Sequence, residues 1–429
     1  MNIYDLKRAA LRAPICVVGL GYVGLTNAIL IANVGYEVIG LDVDPKRVGK
    51  INSYGWPLDP DEPTLPLLMR GQIVEQRLKA TISYDEAVAA CRVFIVAVPT
   101  PVYDNNHPNL DWLTAAVEGI TIRAMDQKVV IIASTVPPGT TEAFASKDDQ
   151  NLYAHAPERL SPGQLNKKAQ AMVRIVGGAT SDATELVSDL YREWFPYCDV
   201  VSATAMEAEI TKTAENAYRD LKIAFAHELL WLCGEYDASF WRVRNMINTS
   251  PGRDVPYAGA GVGGHCLPKD GHLLFHGHHD RGGYLISEAR RTNEMQPVYV
   301  AYHIHRQLEE HTCLGEDYKV LLCGVGYKAN TTDARNSPAL KIADLLRESG
   351  CDVELEDPYI EDLKTEGAWW HAAKDCDAIV FLQAHKAYKR IPWGLLREKM
   401  RTHIALDMVG NMESPPDDWI FWQIGQPHG

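Results

Sequence analysis

Apolar runs punctuate the first half of the chain at intervals that fit strands and helices in alternation. "ICVVGL" is a short β-branched run that predicts a strand, and "LTNAILIANVG" then takes helical spacing and ends on Gly35. "EVIGLDVD" is the next predicted strand, and "RVFIVAVPTP" and "KVVIIASTVPPG" follow as buried runs that each stop at Pro or Gly. Such alternation predicts a parallel sheet covered on both faces. From Ala203 the rhythm changes: "SATAMEAEITKTAENAYRDLKIAFAHELLWLCGEYD" is one proline-free stretch, rich in Ala, Leu and Glu, that predicts a helix from Ala203 to Asp237. Its apolar stripe includes Ile210, Leu221, Ile223, Phe225, Leu229 and Leu230, more than a spacer needs to cover, and this predicts a dimer through the helix.

Near Tyr318 the opening theme returns as strand, glycine turn, helix and strand in "YKVLLCGVGYKANTTDARNSPALKIADLLRESGCDVELEDP". "DAIVFLQAH" and "HIALDMVGN" continue as strands, whereas the tail "ESPPDDWIFWQIGQPHG" carries no readable pattern. The fold class expected is α/β: two Rossmann-like doubly wound parallel-sheet domains joined by a long central helix. Boundaries fall at 1–202 for the N-terminal domain, 203–310 for the helical dimerisation region with its cysteine loop, and 311–429 for the C-terminal domain. Active-site groups are expected at the carboxyl ends of the strands.

A net charge of -14 sets the surface against nucleic acid and anionic membrane, while leaving room for a phosphate-bearing ligand at helix N-termini. The opening "MNIYDLKRAALRAPICVVG" has no apolar core long enough for a signal peptide, and no stretch reaches transmembrane length. Nine cysteines without regular spacing, several inside predicted strands, read as reduced thiols in a cytoplasmic protein.

The first glycine turn has a specific form. Gly19-x-Gly21-x-x-Gly24, with Tyr22 and Val23 between, follows a strand and opens a helix. The first glycine turns the chain, the second admits a pyrophosphate, and the third lets helix and sheet approach. Asp42 ends the next strand, where a carboxylate accepts from adenosine ribose hydroxyls. That acid favours NAD over NADP, tempered by the nearby Arg47.

"AGAGVGGHCLPKDGHLLFHGHH" admits three readings. As a metal site it would draw on His265, Cys266, His272, His276, His278 and His279, but no C-x-x-C pair or H-E-x-x-H accompanies them, so no metal is expected. As a structural element, Cys266 would be a small buried filler. As a reacting group, Cys266 follows glycines that free the backbone, and Pro268 suits the first turn of a helix whose dipole favours the thiolate. Lys269 and Asp270 add a cation and an acid within one turn.

At this point the chain resembles the nucleotide-sugar 6-dehydrogenases, the UDP-glucose, UDP-N-acetylhexosamine and GDP-mannose dehydrogenases. The resemblance runs through "GLGYVGL", "VAVPTP", "STVPPGTT", "APERL", "KTAENAYRDLKIAFAHEL", "GVGGHCLPKD", "GVGYKANTTDARNSPAL" and "DAIVFLQAHKAY", in order along nearly the whole chain. It implies a four-electron oxidation of a sugar C6 alcohol to a carboxylate, using two NAD⁺, with Cys266 as the nucleophile that forms a thiohemiacetal and then a thioester. It implies catalytic roles for Lys212, Asn216, Asp270, Glu158 and Thr135, and cofactor contacts from Thr100, Thr135, Lys269 and Arg335. Substrate contacts follow from Glu158, Arg159, Lys212, Asn216, Arg253, Tyr257, Gly263 and Lys328, with the C-terminal domain holding a UDP-sugar and the whole forming a homodimer or higher oligomer.

One departure is plain. The last strand of such enzymes usually reads D-x-R-N, whereas here it reads Asp407-Met408-Val409-Gly410-Asn411, without the arginine. "GGHC" is the form of the N-acetylhexosamine members and "LPKD" that of the glucose and mannose members. UDP-N-acetylmannosamine or UDP-N-acetylglucosamine is therefore expected ahead of UDP-glucose. A simple two-electron dehydrogenase of the β-hydroxyacid type would leave Cys266 and the second glycine-turn domain without a role. A non-catalytic nucleotide sensor would leave Cys266, Lys212, Asp270 and Glu158 unexplained.

Overall fold

The computed structural model describes residues 3–58, 64–159, 172–277, 283–312, 318–410 and 412–427. They form two compact units, Met1–Glu215 with His272–Asp280, and Asn216–Gly271 with Arg281–Gly429.

The first unit is built on eight strands: β1 (Ile15–Val18), β2 (Val38–Leu41), β3 (Leu78–Thr81), β4 (Val93–Val96), β5 (Val129–Ile132), β6 (Leu152–His155), β7 (Arg174–Gly178) and β8 (Val200–Thr204). Their order is β3-β2-β1-β4-β5-β6-β7-β8. The first six strands have the doubly wound order that reverses between β1 and β4. β1, β2, β4 and β5 are buried at every position, as predicted from their uninterrupted apolar runs. Alternation still operates inside them: Ile15, Val17, Ile95 and Ile131 pack into one core, and Cys16, Phe94, Val130 and Ile132 into the other. The sheet departs from an all-parallel arrangement at one place, where β6 and β7 run antiparallel with His155 opposite Gly177.

The long helix runs Ala205–Glu235, later at its start than the expected Ala203, because Ala203 and Thr204 belong to β8. A capping box sets this boundary. Glu207 accepts from the Thr204 amide at 2.8 Å, and the Thr204 hydroxyl accepts from the Glu207 amide at 3.2 Å.

The second unit carries five parallel strands, β9 (Lys319–Cys323), β10 (Asp352–Glu356), β11 (Ala378–Phe381), β12 (Ile404–Asp407) and β13 (Ile420–Gln423). Their order, β10-β9-β11-β12-β13, is again doubly wound and reverses between β9 and β11. The tail that carried no readable pattern supplies β13, whose Trp422 is buried and stacks on His303 with ring centroids 5.2 Å apart.

Within this unit the helix from residue 216 onward packs on the helix Tyr284–His311 through a buried polar ladder. Arg290 and the Asn293 amide nitrogen each donate to Asp220 at 2.8 Å, and the Asn293 amide oxygen accepts from His227 at 2.9 Å. Trp231 donates to Gln296 at 2.7 Å, and Gln296 donates to the Gly259 carbonyl at 2.7 Å, which fixes the start of the glycine stretch. Burial pushes His227 down to about 4. Burial pushes Asp220 up to about 6 against the opposing pull of Arg290 and Asn293.

These shifts act in opposite directions on stability. Between pH 6.5 and 4 the unfolded chain protonates a histidine that the folded chain keeps neutral, so His227 loses the protein stability as pH falls. Asp220, protonated in the folded state up to about pH 6, gains it over the same range. His227→Gln removes the first effect alone. From pH 7 to pH 5 the wild type is expected to lose stability relative to His227→Gln by roughly 2 kcal/mol, read from denaturation midpoints. Parallel midpoint curves for the two proteins would contradict it.

Candidate functional site

The glycine turn after β1 is shaped by close packing. Gly19 sits at φ +87, and a Cβ there would lie 2.6 Å from the Ala97 carbonyl; one on Gly24 would lie 1.8 Å from the Gly19 carbonyl. Gly21 is different: nothing stands within 4 Å of its missing side chain, and it precedes the helix Tyr22–Asn33 without a side-chain cap. The helix thus starts beside an open position and without a side-chain cap on its first amides, which suits a pyrophosphate. Tyr22 and Val23, half-buried, form the first turn.

Asp42 holds this turn in place. One carboxylate oxygen accepts from the Leu20 amide at 2.6 Å and the other from the Asp44 amide at 2.9 Å. Arg47 lies 3.0 Å from the same carboxylate, so its charge is engaged by Asp42. At the ends of β4 and β5, the Thr100 hydroxyl donates to the Thr135 carbonyl at 2.6 Å and ties the two loops together. Glu209, fully buried on the long helix, accepts from the Gly139 amide at 2.6 Å and the Thr141 amide at 2.8 Å, holding the loop after Thr135.

After β6 the chain turns through Pro157 and Glu158. Glu158 is buried; one oxygen accepts from Arg174 at 2.7 Å and the other from the Arg159 amide at 2.9 Å. Arg159 donates through two nitrogens to Glu215, one turn along the long helix from Lys212. Lys212 lies near enough to His155 that its charge adds to the burial that pushes that imidazole down to about 3. The structure thus brings Glu158, Arg159 and Lys212 into one neighbourhood of the first unit, through Glu215, Arg174 and His155. Sequence reasoning missed those three; Glu215 lies inside the quoted "KTAEN" and could have been found there.

In the second unit Cys266 is exposed, and its carbonyl accepts from the Lys269 and Asp270 amides at 3.2 and 3.0 Å. It therefore opens the helix Leu267–Leu274, with Pro268 in the first turn. Asp270 is 1% exposed; it accepts from Lys269 at 2.7 Å on one oxygen and from the Asn216 amide at 2.5 Å on the other.

The backbone before the thiol is gripped. A Cβ on Gly263 would lie 2.5 Å from the Asn336 carbonyl, and one on Gly264, at φ +87, would lie 2.8 Å from the Tyr327 ring. The Gly264 amide donates to the Arg335 carbonyl at 2.9 Å, and Asn336 donates to the Gly264 carbonyl at 3.1 Å. Burial, with the charges of Lys269 and Arg335, pushes His265 down to about 4. Arg335 is paired with Asp333 at 2.6 Å, which holds the guanidinium firmly charged.

Asp357, directly after β10, repeats the role of Asp42. It accepts from the Val325 and Gly326 amides at 2.7 and 2.8 Å and from His385 at 3.1 Å. His385 accepts in turn from the Asn330 amide at 2.8 Å, anchoring the loop that carries the half-buried Lys328. Asp357 too was missed, although "ELEDP" places an acid directly after the second strand as "GLDVD" does.

Arg253 and Tyr257 are exposed, and Arg244 stacks over the Tyr257 ring at 4.1 Å. Where an arginine is usual, the chain is folded down tightly. Asp407 accepts from the Val409, Gly410 and Met412 amides at 2.8 to 2.9 Å, and a Cβ on Gly410 would lie 1.9 Å from Trp241. Asn411, His278 and His279 lie outside the described residues. Among the described residues no three His, Cys, Asp or Glu side chains are gathered to hold a metal ion.

The first unit, a doubly wound sheet whose glycine turn opens a helix, has the form of a dinucleotide-binding domain, and the second carries another doubly wound sheet and an exposed thiol. Three domains of one family match the chain: its NAD binding domain over residues 13–195, its central domain over 206–295 and its UDP binding domain over 321–414. The chain belongs to the UDP-glucose/GDP-mannose dehydrogenase family, and its cofactor is NAD. It is 35% identical to the UDP-N-acetyl-D-mannosamine dehydrogenase of Pyrococcus horikoshii over 96% of this chain and 99% of that protein. The solved structure of a UDP-D-ManNAc dehydrogenase from that organism superposes with a TM-score of 0.90 at 34% identity, covering 96% of this chain and 99% of the other. A UDP-glucose dehydrogenase from Pyrobaculum islandicum superposes with a TM-score of 0.85 at 25% identity, covering 98% and 99%.

The Asp42 geometry generates a prediction. Asp42→Ala removes the acceptor for the Leu20 amide and releases Arg47. It is expected to raise KM for NAD⁺ on the order of tenfold, about 1.4 kcal/mol, and to let NADP⁺ compete. Unchanged cofactor kinetics would contradict the assignment.

Proposed function

We propose that the chain oxidises the C6 alcohol of a UDP-N-acetylhexosamine, N-acetylmannosamine or N-acetylglucosamine, to the uronate through a covalent intermediate on Cys266. The observation that carries this reading is the state of the cysteines. Among the described residues Cys266 is the exposed one; the others are buried or half-buried. The "GGHC" sequence and the N-acetylmannosamine relative support the choice of sugar.

Bound NAD⁺ supplies the hydride acceptor for both oxidations. In the first, the C6 hydroxyl gives up its proton and a hydride leaves the carbon, forming an aldehyde. The Cys266 thiolate then adds to that carbon, giving a thiohemiacetal. Loss of a second hydride and of the hydroxyl proton leaves a thioester. Water adds, the carbon–sulfur bond breaks, and the uronate departs from a restored thiolate.

Lys212 and Asn216, one turn apart on the long helix, take the charge that develops on oxygen. Asp270, held by Lys269 and Asn216, handles protons with that lysine. Glu158 activates the water of the last step. Thr135, Thr100, Lys269 and Arg335 belong to the cofactor side, and Arg159, Arg253, Tyr257, Gly263 and Lys328 to the substrate side. UDP-glucose is the second reading, favoured by "LPKD", the form of the glucose and mannose members, and by the Pyrobaculum structure.

Among the described residues no helix is long and apolar enough to cross a membrane. The irregularly spaced cysteines support a cytoplasmic setting for the reaction. A homodimer through the long helix is supported by Tyr218, Phe225 and Leu232, exposed at seven-residue spacing, and by Met295 and Tyr302 on the helix beside it. Light scattering at micromolar concentration should give a dimer that Phe225→Glu dissociates; a wild-type monomer would refute it.

NADH formation with UDP-N-acetylmannosamine, UDP-N-acetylglucosamine, UDP-N-acetylgalactosamine, UDP-glucose and GDP-mannose identifies the substrate. Cys266→Ala is expected to abolish uronate formation while NAD⁺ binding survives. Full turnover by that variant would sink the mechanism.

A further inference from the structure

We infer that Arg174 is the positioning residue that holds Glu158 for thioester hydrolysis, an inference that rests on the role of Glu158 given above. The sheet itself brings the two together. Among the described strands β6 and β7 form its one antiparallel pair, with Ala154 opposite Gly178 and His155 opposite Gly177. Continuing that register past the end of β6 sets Glu158 opposite Arg174, the first residue of β7. In an antiparallel pair the beginning of one strand meets the end of the other, so the cation reaches the carboxyl end of β6, where the Glu158 loop begins. A parallel β7 would have carried it to the opposite edge.

The contact is built for orientation. Both side chains are 4% exposed, and the Arg174 nitrogen lies 2.7 Å from one Glu158 oxygen. The other oxygen is taken by the Arg159 amide at 2.9 Å, so each oxygen has its own donor and the carboxylate plane is set. The guanidinium is itself held, lying over the Phe195 ring at 4.1 Å. In the hydrolytic step water bonds to the thioester carbon, its proton passes to the Glu158 carboxylate, and the electrons of the carbon–sulfur bond return to Cys266. Arg174 acts on this step only through the Glu158 carboxylate, whose orientation it holds.

The test uses the full-length protein with NAD⁺ and the UDP-sugar that turns over, comparing wild type, Glu158→Gln, Arg174→Met and Arg174→Lys. Rapid quenching with intact-protein mass spectrometry reads the adduct on Cys266, and absorbance reads the burst of NADH. Arg174→Met is expected to give a burst followed by a stall and to accumulate the adduct as Glu158→Gln does. Its kcat should fall on the order of 100-fold, and KM for the sugar should fall with it because the slowed step follows adduct formation, leaving kcat/KM within about threefold of wild type. Arg174→Lys, which keeps the charge on a single donor, should recover part of the rate with less adduct. A merely structural role would lower activity through the folded fraction, without burst or adduct. If Glu158→Gln accumulates adduct while Arg174→Met turns over normally, or slows without adduct, the positioning role is wrong and that of Glu158 stands. If Glu158→Gln shows no adduct, the reading of Glu158 fails and this inference with it. Should thermal melting show Arg174→Met unfolded, Arg174→Lys decides: adduct supports the role, and its absence overturns it.

Discussion

The chemistry proposed for Cys266 depends on a piece of backbone with no room beside it. Gly263 and Gly264 lie so close to Asn336 and Tyr327 that neither could carry a side chain. Arg335 and Asn336 then bond both polar groups of Gly264, two residues before the thiol. The loop providing those contacts is anchored by Asn330 to His385, and through His385 to Asp357, which also grips the Val325 and Gly326 amides. Within the second unit the segment that presents the cysteine and the turn that opens the sheet belong to one hydrogen-bonded assembly.

The same device appears in both units with different surroundings. In each, an acid directly after the second strand of the doubly wound sheet accepts from the glycine-turn backbone. In the first unit its partner is the Arg47 guanidinium, in the second a ring nitrogen of His385. Acids so placed fix a turn before any ligand arrives, which is the sense in which such a site is preformed. Glu209 and Glu215 do related work on the long helix, one holding the loop after Thr135 and the other holding Arg159 beside Glu158.

Much of this was legible because it is local. Apolar runs such as "VVII" predict buried strands, the Gly19 turn is identifiable from spacing, and Pro268 marks the helix that Cys266 opens. The start of the long helix was local too, but the "TAME" capping box was read as helix, and Thr204 was assigned to the wrong element. β13 was hidden because "IFWQ" is only four residues beyond a proline-rich stretch, and its place is set by pairing with β12. Arg174 could not be seen at all. Its meeting with Glu158 follows from an antiparallel register within a mostly parallel sheet, and no pattern in the residues themselves announces that reversal.

The central claim is that one thiol carries the substrate between two oxidations. The ratio of NADH formed to uronate formed, measured with the sugar that turns over, tests it most directly. Two NADH per uronate, with no aldehyde released, is the predicted result. One NADH per product, with an aldehyde accumulating, would contradict it and leave Cys266 a structural thiol.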